Sequence, residues 1–479
     1  MNEPWQQPWR TPSLQTAAVY RARVRGCLLG GALGDALGYP VEFASLDRIR
    51  VSHGPRGVTG LLPGASGAVG LISDDTQMTL FTAEALIQAH ARQREKGTAG
   101  AWPLLLRQAY ERWLETQSQP APGPDQPASV QPGSPAGGRS TQPGGPARDL
   151  VTQPGGPVGD LVTRPGGPAA GFVSRSGASA ARLVPQPGAQ LGDPGAQPGL
   201  PTVGPASQPG LPTVGPASQP GLPTVGPASQ PGLPAVGPVP RPGTAARGLV
   251  TEAWLYARRA PGNACLSGVA QRYAPDPALP LDGTPGEVNP DSKGCGTVMR
   301  SAPFGLVGPA DAAFDMAARG AQITHGHPTG YYAAGALAAI VAHLVAGDSL
   351  EGAVLRTLRL LERYRGHTET TAALREALDL AADGAPTAEK VESLGAGWVA
   401  EQALAIGVYC ALAEPRPELA LLLAVNHSGD SDSTGSICGN LLGTWYGDTG
   451  LPHDWVARVE GRDRIAALAD DLAAEYARG

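Results

Sequence analysis

Two short clusters of acidic and hydroxyl residues, far apart in the chain, are the residues best suited to chemistry. The first is residues 73–76 (SDDT) and the second is residues 430–434 (DSDST); each precedes a segment with helical periodicity. Ser, Thr and Asp are preferred helix N-caps, and acids in a first turn suit the helix dipole, so either cluster alone is typical of capping. Capping needs one such residue, however, and each cluster holds two carboxylates plus hydroxyls.

Together the clusters offer four carboxylates and several hydroxyls. These are hard oxygen ligands, which suit Mg²⁺ or Mn²⁺ better than zinc. The second cluster also matches the start of a calcium-binding EF-hand loop, but Leu441 stands where that loop requires Glu, which excludes this interpretation. If the two clusters meet in space, a two-metal site explains why the carboxylates do not simply repel one another.

The elements that must position these clusters are helices. Alternating strand patterns are almost absent, so we expect one large all-α domain. Residues 331–345 are too short to span a bilayer and are expected to form a buried helix. Apolar residues recurring at intervals of three and four predict helices at 79–93, 102–116, 249–258, 330–345, 350–364, 371–382, 397–412 and 463–477.

Two further helical segments carry glycine at every fourth position. Gly26, Gly30, Gly34 and Gly38 form one stripe, and Gly435, Gly439, Gly443 and Gly447 form the other. Glycine inside a helix costs about 1 kcal/mol relative to alanine, so the stripes need a compensating contact. Close backbone approach between the two helices is the expected reason, and it would also bring their flanking residues together.

One long segment departs from this helical pattern. Of the 66 Gly and 49 Pro among 479 residues, many lie in residues 118–247, which repeat with a period of 11 (TQPGGPARDLV, then PGLPTVGPASQ). Proline and glycine in each repeat exclude continuous helix. We therefore predict a disordered insertion at 118–247, or alternatively a docking arm for a partner. It divides one helical domain into 18–117 and 248–479, after an N-terminal tail at 1–17.

Charge and cysteine content narrow the function classes. The formal net charge of −6 argues against bulk nucleic-acid binding. The chain has five cysteines without a CxxC pair, and residues 1–20 lack a basic start followed by an apolar run, so we expect a reducing cytoplasmic location without a membrane.

Five motifs stand in order along the chain. They are residues 25–43 (RGCLLGGALGDALGYPVEF), 73–80 (SDDTQMTL), 294–303 (GCGTVMRSAP), 324–328 (THGHP) and 426–443 (NHSGDSDSTGSICGNLLG). In this order they resemble the ADP-ribosylglycohydrolase family, of the dinitrogenase reductase-activating type. The resemblance covers nearly all of the chain except the N-terminal tail and the insertion. It implies an all-α fold with a binuclear Mg²⁺ or Mn²⁺ centre that hydrolyses the bond between ADP-ribose and an acceptor.

The resemblance also implies roles for individual residues. Glu42, Asp74 and Asp432 are the candidates for proton transfer. The loop that holds diphosphate and ribose matches residues 292–296, which include Lys293; its candidate contacts are Ser292, Gly294, Cys295 and Gly296, with His325 near the ligand. Cys295 stands where the family often has Asn, and Ser433 where Thr is commoner. The implied ligands of the two metal ions are Ser73, Asp74, Asp75, Asp430, Asp432 and Ser433.

Several alternatives stay open at this stage. A carboxylate-metal phosphohydrolase acting on a nucleotide is the rival enzyme, and a crystallin-like relative is the non-catalytic one. The acceptor of ADP-ribose could be arginine, serine, another residue, a nucleic acid or a free metabolite. The expected partner is an ADP-ribosylated protein or a small ADP-ribose conjugate. We expect the chain to be a monomer. His327 and His427 are interpreted as structural, and Arg300 as paired with either a buried carboxylate or a phosphate.

Overall fold

Helices form nearly all of the regular structure. The computed structural model describes residues 14–64, 66–97, 100–121 and 248–477, and within these ranges it contains no β-strand, only two isolated bridges. The all-α prediction is confirmed. The helices are α1 (Leu14–Gly38), α2 (Leu46–His53), α3 (Asp74–Lys96), α4 (Trp102–Thr116), α5 (Asn263–Ala270), α6 (Ala302–Gly305), α7 (Ala310–Ala321), α8 (Pro328–Ala346), α9 (Leu350–Leu361), α10 (Thr368–Ala382), α11 (Ala388–Ser393), α12 (Ala400–Ala413), α13 (Pro417–Val425), α14 (Ser431–Tyr446), α15 (His453–Val456) and α16 (Arg462–Tyr476).

The two glycine-striped helices, α1 and α14, pack antiparallel with their backbones in contact. A Cβ atom placed on Gly34 would lie 1.8 Å from the carbonyl oxygen of Gly435, and one on Gly443 would lie 1.8 Å from that of Gly26. Real Cβ atoms do not approach this closely, so only glycine fits. Between these points, the Asn440 side chain donates a 2.8 Å hydrogen bond to the Cys27 carbonyl. We call this contact the glycine seam; the predicted close approach is confirmed.

Helix α8 lies inside the protein. By length and composition alone it is apolar enough to cross a membrane, but 83% of its most apolar window is buried. Tyr331, Leu337 and Ile340 are each 0% exposed. Such burial on all faces is typical of a core helix, as predicted for residues 331–345.

The predicted insertion lies mostly beyond the described residues. Packing divides the chain into one unit of Met1–Pro132 with Pro238–Gly479 and a second unit of Gly133–Gly237. The second unit, and the predicted insertion from residue 122 onward, lie outside the described residues, as do residues 1–13 of the predicted tail.

Both described flanks of the insertion are bound to α3. Glu84 accepts hydrogen bonds from Arg112 of α4 at 2.7 Å and from the Leu249 amide at 2.8 Å. Gln77 accepts from Gln117 at 2.9 Å and donates to the Ala257 carbonyl at 3.0 Å. Thus two polar side chains of one helix hold the segment before residue 122 and the segment after residue 247.

The prediction of a helix at 249–258 is wrong. Two short 3₁₀ turns, Leu249–Thr251 and Ala253–Leu255, form there instead. The carbonyls of Leu255 and Ala257 accept from the side chain of Gln77. Because α3 satisfies these carbonyls, the segment follows the surface of α3 and makes no i→i+4 ladder of its own.

This arrangement predicts that residues 122–247 can be removed. Replacing them with a linker of about eight Gly and Ser residues shortens the loop about sixteen-fold, which lowers its closure cost by about 2 kcal/mol. We expect the deletion variant to unfold at a temperature no lower than the full chain, measured by calorimetry. A large fall in the unfolding temperature would show that the repeats stabilise the helical unit.

Candidate active site

The two acidic clusters form the N-termini of α3 and α14. Ser73 caps α3 by accepting from the Asp75 amide, and Asp430 caps α14 by accepting from the Ser433 amide. Each cap leaves further carboxylates at the helix end. Asp74 and Asp75 are each 3% exposed, and Asp430 and Asp432 are 3% and 2% exposed. The local sequence therefore supplies both the helix start and buried charge beyond what capping uses.

The glycine seam brings the carboxylates of the second cluster together with Glu42. At the end of α1, a Cβ on Gly38 would lie 2.2 Å from the Ser431 carbonyl oxygen. The chain then makes a 3₁₀ turn, Tyr39–Val41, and presents Glu42 to the start of α14. One oxygen each of Glu42, Asp430 and Asp432 lie within 4.8 Å of one another. Backbone contact along the seam thus sets the spacing of these three carboxylates.

Asp432 is at the electrostatic centre of the group. Burial raises the pKa of Glu42 to about 10, with repulsion from Asp432 as the next cause. Burial and then repulsion from Asp432 also hold the pKa values of Asp74, Asp75 and Asp430 well above their usual range. These carboxylates destabilise one another when they are all ionised.

Asp35 on α1 positions the first cluster, and sequence reasoning did not include it among the site residues. Its carboxylate is 0% exposed and accepts hydrogen bonds from the Ser73 amide at 3.0 Å, the Thr76 amide at 3.1 Å and the Thr76 hydroxyl. Burial and repulsion from Asp432 raise its pKa to about 7. Its place in the 25–43 motif, seven residues before Glu42, was the available signal.

Removing the Asp35 charge should weaken cation binding without removing a candidate ligand. In Asp35→Asn an amide NH₂ faces the donors at Ser73 and Thr76, so the α3 terminus loses acceptors and shifts. Loss of a group that orients ligands typically costs 10–100-fold in metal affinity. We expect a loss of about that size for Mn²⁺, measured by calorimetric titration. An unchanged affinity would show that Asp35 only closes the helix end.

The candidate phosphate loop lies against the second cluster. The Cys295 thiol is 2.6 Å from an Asp430 oxygen, and the Cys295 amide donates to the Trp398 carbonyl at 3.1 Å. Ser292 accepts, through its carbonyl, from the His327 amide at 3.2 Å. The structure therefore places Cys295 of this loop beside a metal-ligand candidate, and the roles of the loop residues stay predictions.

His325 lies beneath this loop and is 2% exposed. A Cβ on Gly294 would lie 3.1 Å from His325 Nε2, and one on Gly296 would lie 3.3 Å from Cε1. Its Nδ1 atom is 2.7 Å from the Thr324 hydroxyl, which in turn accepts from Arg300 at 2.6 Å. The two glycines thus leave room for the imidazole ring. Arg300 is linked to that ring through the Thr324 hydroxyl.

His325 makes stability depend on pH. Burial and the Arg300 cation lower its pKa to about 3, whereas an unfolded imidazole has a pKa of about 6.5. Below pH 6.5 only the unfolded chain gains this proton. The free energy of unfolding therefore decreases as the pH is lowered, by about 2 kcal/mol at pH 5. We expect His325→Gln to show a flatter dependence in urea unfolding between pH 7 and 5, with exposed His453→Gln as control. Equal slopes would contradict this.

Three other basic residues have structural partners. Within the described ranges, the acceptors of Arg300 are Thr324, a backbone carbonyl and two sulfur atoms, and its guanidinium lies 4.7 Å from the Tyr110 ring centre. Among these residues Arg300 has no carboxylate partner, because hydroxyl, sulfur and ring contacts solvate it; the alternative of a phosphate partner stays a prediction. His327 caps α8, and His427 lies 2.8 Å from the Thr434 hydroxyl, as expected of structural groups.

The residues present fit divalent cations. Among the described residues, Glu42 Oε2 and Asp75 Oδ2 are buried and have no hydrogen-bond partner. Buried carboxylate oxygens without donors are costly unless a cation or proton compensates them. All of the candidate ligands are oxygen donors, the set that Mg²⁺ and Mn²⁺ prefer.

Comparison with known proteins agrees with this architecture. A family model described as ADP-ribosylglycohydrolase matches residues 16–195 and 236–479. A solved structure titled "ADP-ribosylglycohydrolase-related protein complex" superposes with a TM-score of 0.50 at 18% identity, covering 96% of this chain and 99% of that one. At this identity the superposition shows the fold alone.

Two curated relatives match over part of their length. ADP-ribosylhydrolase ARH3 of Homo sapiens is 29% identical over 182 residues, 32% of this chain and 49% of the relative. The ADP-ribosyl-[dinitrogen reductase] glycohydrolase of Rhodospirillum rubrum is 25% identical over 211 residues, 43% of this chain and 63% of the relative. The chain thus spans about half the length of the first of these. Because the family model matches most of its length, the chain belongs to the ADP-ribosylglycohydrolase family.

Proposed function

We propose that the chain is a metal-dependent hydrolase that releases ADP-ribose from a protein side chain or a small acceptor. The observation that carries this is the close approach of Glu42, Asp430 and Asp432, whose ligand oxygens lie within 4.8 Å of one another, while repulsion from Asp432 reaches Asp74 and Asp75 of the first cluster. The family supports the reaction class. Two Mg²⁺ or Mn²⁺ ions are the proposed cofactors, held by Ser73, Asp74, Asp75, Asp430, Asp432 and Ser433.

Divalent cations at these ligands would hold the ribose hydroxyls and polarise the attacking water. The protein supplies the rest. Gly294 and Gly296 let backbone N–H groups approach the diphosphate, and His325 supports that loop from below. These contacts fix the ADP-ribose half of the substrate, so that its anomeric carbon lies at the carboxylates.

Glu42 is the group we propose for the proton on the acceptor. Of the three candidates it is the least enclosed, whereas Asp74 and Asp432 are buried at helix starts. Its Oε2 has no partner among the described residues, and in the metal-free protein burial, followed by repulsion from Asp432, raises its pKa to about 10. As water adds its oxygen to the anomeric carbon, the bond to the acceptor breaks and Glu42 gives its proton to the acceptor. The proton that the water loses then returns Glu42 to its protonated form.

Localisation and assembly are further parts of the proposal. The cysteines of the described chain are free, four of them buried and Cys295 partly so. Unpaired thiols suit a reducing compartment, and we propose the cytoplasm and a monomer.

Product analysis tests the proposed function directly. We expect purified protein with Mg²⁺ or Mn²⁺ to release free ADP-ribose from ADP-ribosylated peptides, detected by chromatography. Chelator should stop the release. In parallel, calorimetric titration of ADP-ribose should show binding that requires the metal. Release of inorganic phosphate from a nucleotide, with no free ADP-ribose, would instead favour the phosphohydrolase, and absence of both reactions would favour the non-catalytic relative.

A further inference from the structure

Two exposed aromatic rings stack on each other at the edge of the carboxylate group. Phe43 is 70% exposed and Trp398 is 40% exposed. Their ring centres are 5.1 Å apart and the ring planes differ by 20°. Since the stack covers one face of Phe43, most of its exposed area is the remaining face and edge.

Neither backbone preference nor burial accounts for phenylalanine at position 43. Its φ is +67°, in the left-handed region that favours Gly and Asn and costs a bulky residue about 1–3 kcal/mol. An aromatic ring that is 70% exposed gains little from burial in return. Strained residues of this kind concentrate at functional sites, where another requirement holds them.

The two rings come from two separate segments that both border the site. Phe43 directly follows Glu42, whose carboxylate belongs to the cluster. The backbone carbonyl of Trp398 accepts a hydrogen bond from the Cys295 amide, and the Cys295 thiol contacts Asp430. Gly397, the residue before Trp398, also lies close to Asp430: a Cβ on Gly397 would be 3.4 Å from the Asp430 Cβ. The aromatic pair therefore lies at the rim of the site, next to the proposed proton donor.

The acceptor half of the substrate must occupy this rim. Glu42 is the proposed donor to the acceptor, so the acceptor lies beside residue 43 when its bond to ADP-ribose breaks. Aromatic faces attract planar cations, and arginine guanidinium is the side chain that stacks on them best. A serine acceptor is a small neutral hydroxyl and gains nothing from such a surface.

We propose that Phe43 and Trp398 bind the guanidinium of an arginine acceptor and so favour arginine-linked over serine-linked ADP-ribose. This rests on the proposed function and names its substrate class. The cation–π contact acts on the acceptor alone, so it should leave the binding of free ADP-ribose unchanged.

The test compares two substrates in three variants. Phe43→Asn and Trp398→Ala are assayed with an ADP-ribosyl-arginine peptide and an ADP-ribosyl-serine peptide of matched sequence; Leu355→Ala, which removes an exposed apolar side chain on α9, is the control. We expect kcat/KM on the arginine-linked peptide to fall about 5–30-fold, mainly through KM, for Phe43→Asn and Trp398→Ala. The serine-linked peptide and the ADP-ribose Kd should change less than about two-fold.

Thermal unfolding separates this role from a structural one. Asn tolerates the left-handed region, so Phe43→Asn should not lower Tm. A lowered Tm with equal losses on both peptides would mean that the stack only joins the two sides of the site, and would overturn the proposal. Weaker ADP-ribose binding in both variants would assign the rings to adenine and would also overturn it. Wild-type protein inactive on both peptides would refute the proposed function itself.

Discussion

Replacing Asp432 with asparagine is expected to abolish hydrolysis while making the metal-free protein more stable. Asp432 lies within 4.8 Å of Glu42 and Asp430 and adds repulsion to both. Without cations that repulsion is uncompensated, so an isosteric neutral group should raise the metal-free Tm. With cations present, the same change removes a ligand, and kcat should fall about 10³-fold or more.

Two measurements detect the two opposite effects of Asp432→Asn, which are higher stability without metal and loss of stabilisation by Mn²⁺. Calorimetric unfolding with chelator should give a Tm above that of the wild type, and the increase in Tm caused by Mn²⁺ should disappear. Asp379→Asn, an exposed aspartate on α10, is the matched control and should change neither quantity. A variant that keeps both the Mn²⁺-induced increase and full turnover would exclude Asp432 as a ligand.

The second large effect is expected at the glycine seam. Gly34→Ala places a methyl group 1.8 Å from the Gly435 carbonyl oxygen, so the backbones of α1 and α14 must separate. Alanine normally stabilises a helix relative to glycine by about 1 kcal/mol. Here we expect the opposite sign, a loss of about 4 kcal/mol or more, because a backbone contact cannot repack as a side chain can.

Denaturant and thermal unfolding measure this loss. Gly308→Ala is the control, since a Cβ there would meet nothing nearer than 3.9 Å; its Tm should stay within about 2 °C of wild type. If Gly34→Ala folds, its Mn²⁺ affinity should also fall, because the seam sets the distance between Glu42 and the start of α14. Unchanged stability would mean that the helices are not in backbone contact.

Most helices were predictable because their apolar periodicity is strong. Residues 102–116 form α4 with the predicted bounds, and α8 and α16 differ from prediction by one or two residues at each end. The segment 249–258 failed because periodicity cannot show that Gln77, far away in sequence, takes its carbonyls. Tertiary hydrogen bonds of this kind leave no local pattern.

The site was predictable where residue type and spacing both carried information. Two carboxylates at each of two helix starts exceed what capping needs, and the glycine stripes provided a physical reason for the end of α1, which Glu42 follows, to meet the start of α14. Asp35 was missed because a single acid on a helix has no distinctive spacing of its own, and its place in the 25–43 motif was the only signal. Trp398 and the left-handed backbone of Phe43 were missed because stacking and φ depend on coordinates, not on sequence neighbours.

The glycine seam also sets an order for the chain as it is synthesised. Gly34 contacts Gly435, so the partner of α1 leaves the ribosome about 400 residues later, or about 20–80 s at 5–20 residues per second. Throughout that time the glycine-lined face of α1 has no α14 to pack against. Asp430 and Asp432 belong to that same late segment. A nascent chain therefore cannot assemble the carboxylate site until α14 has been synthesised.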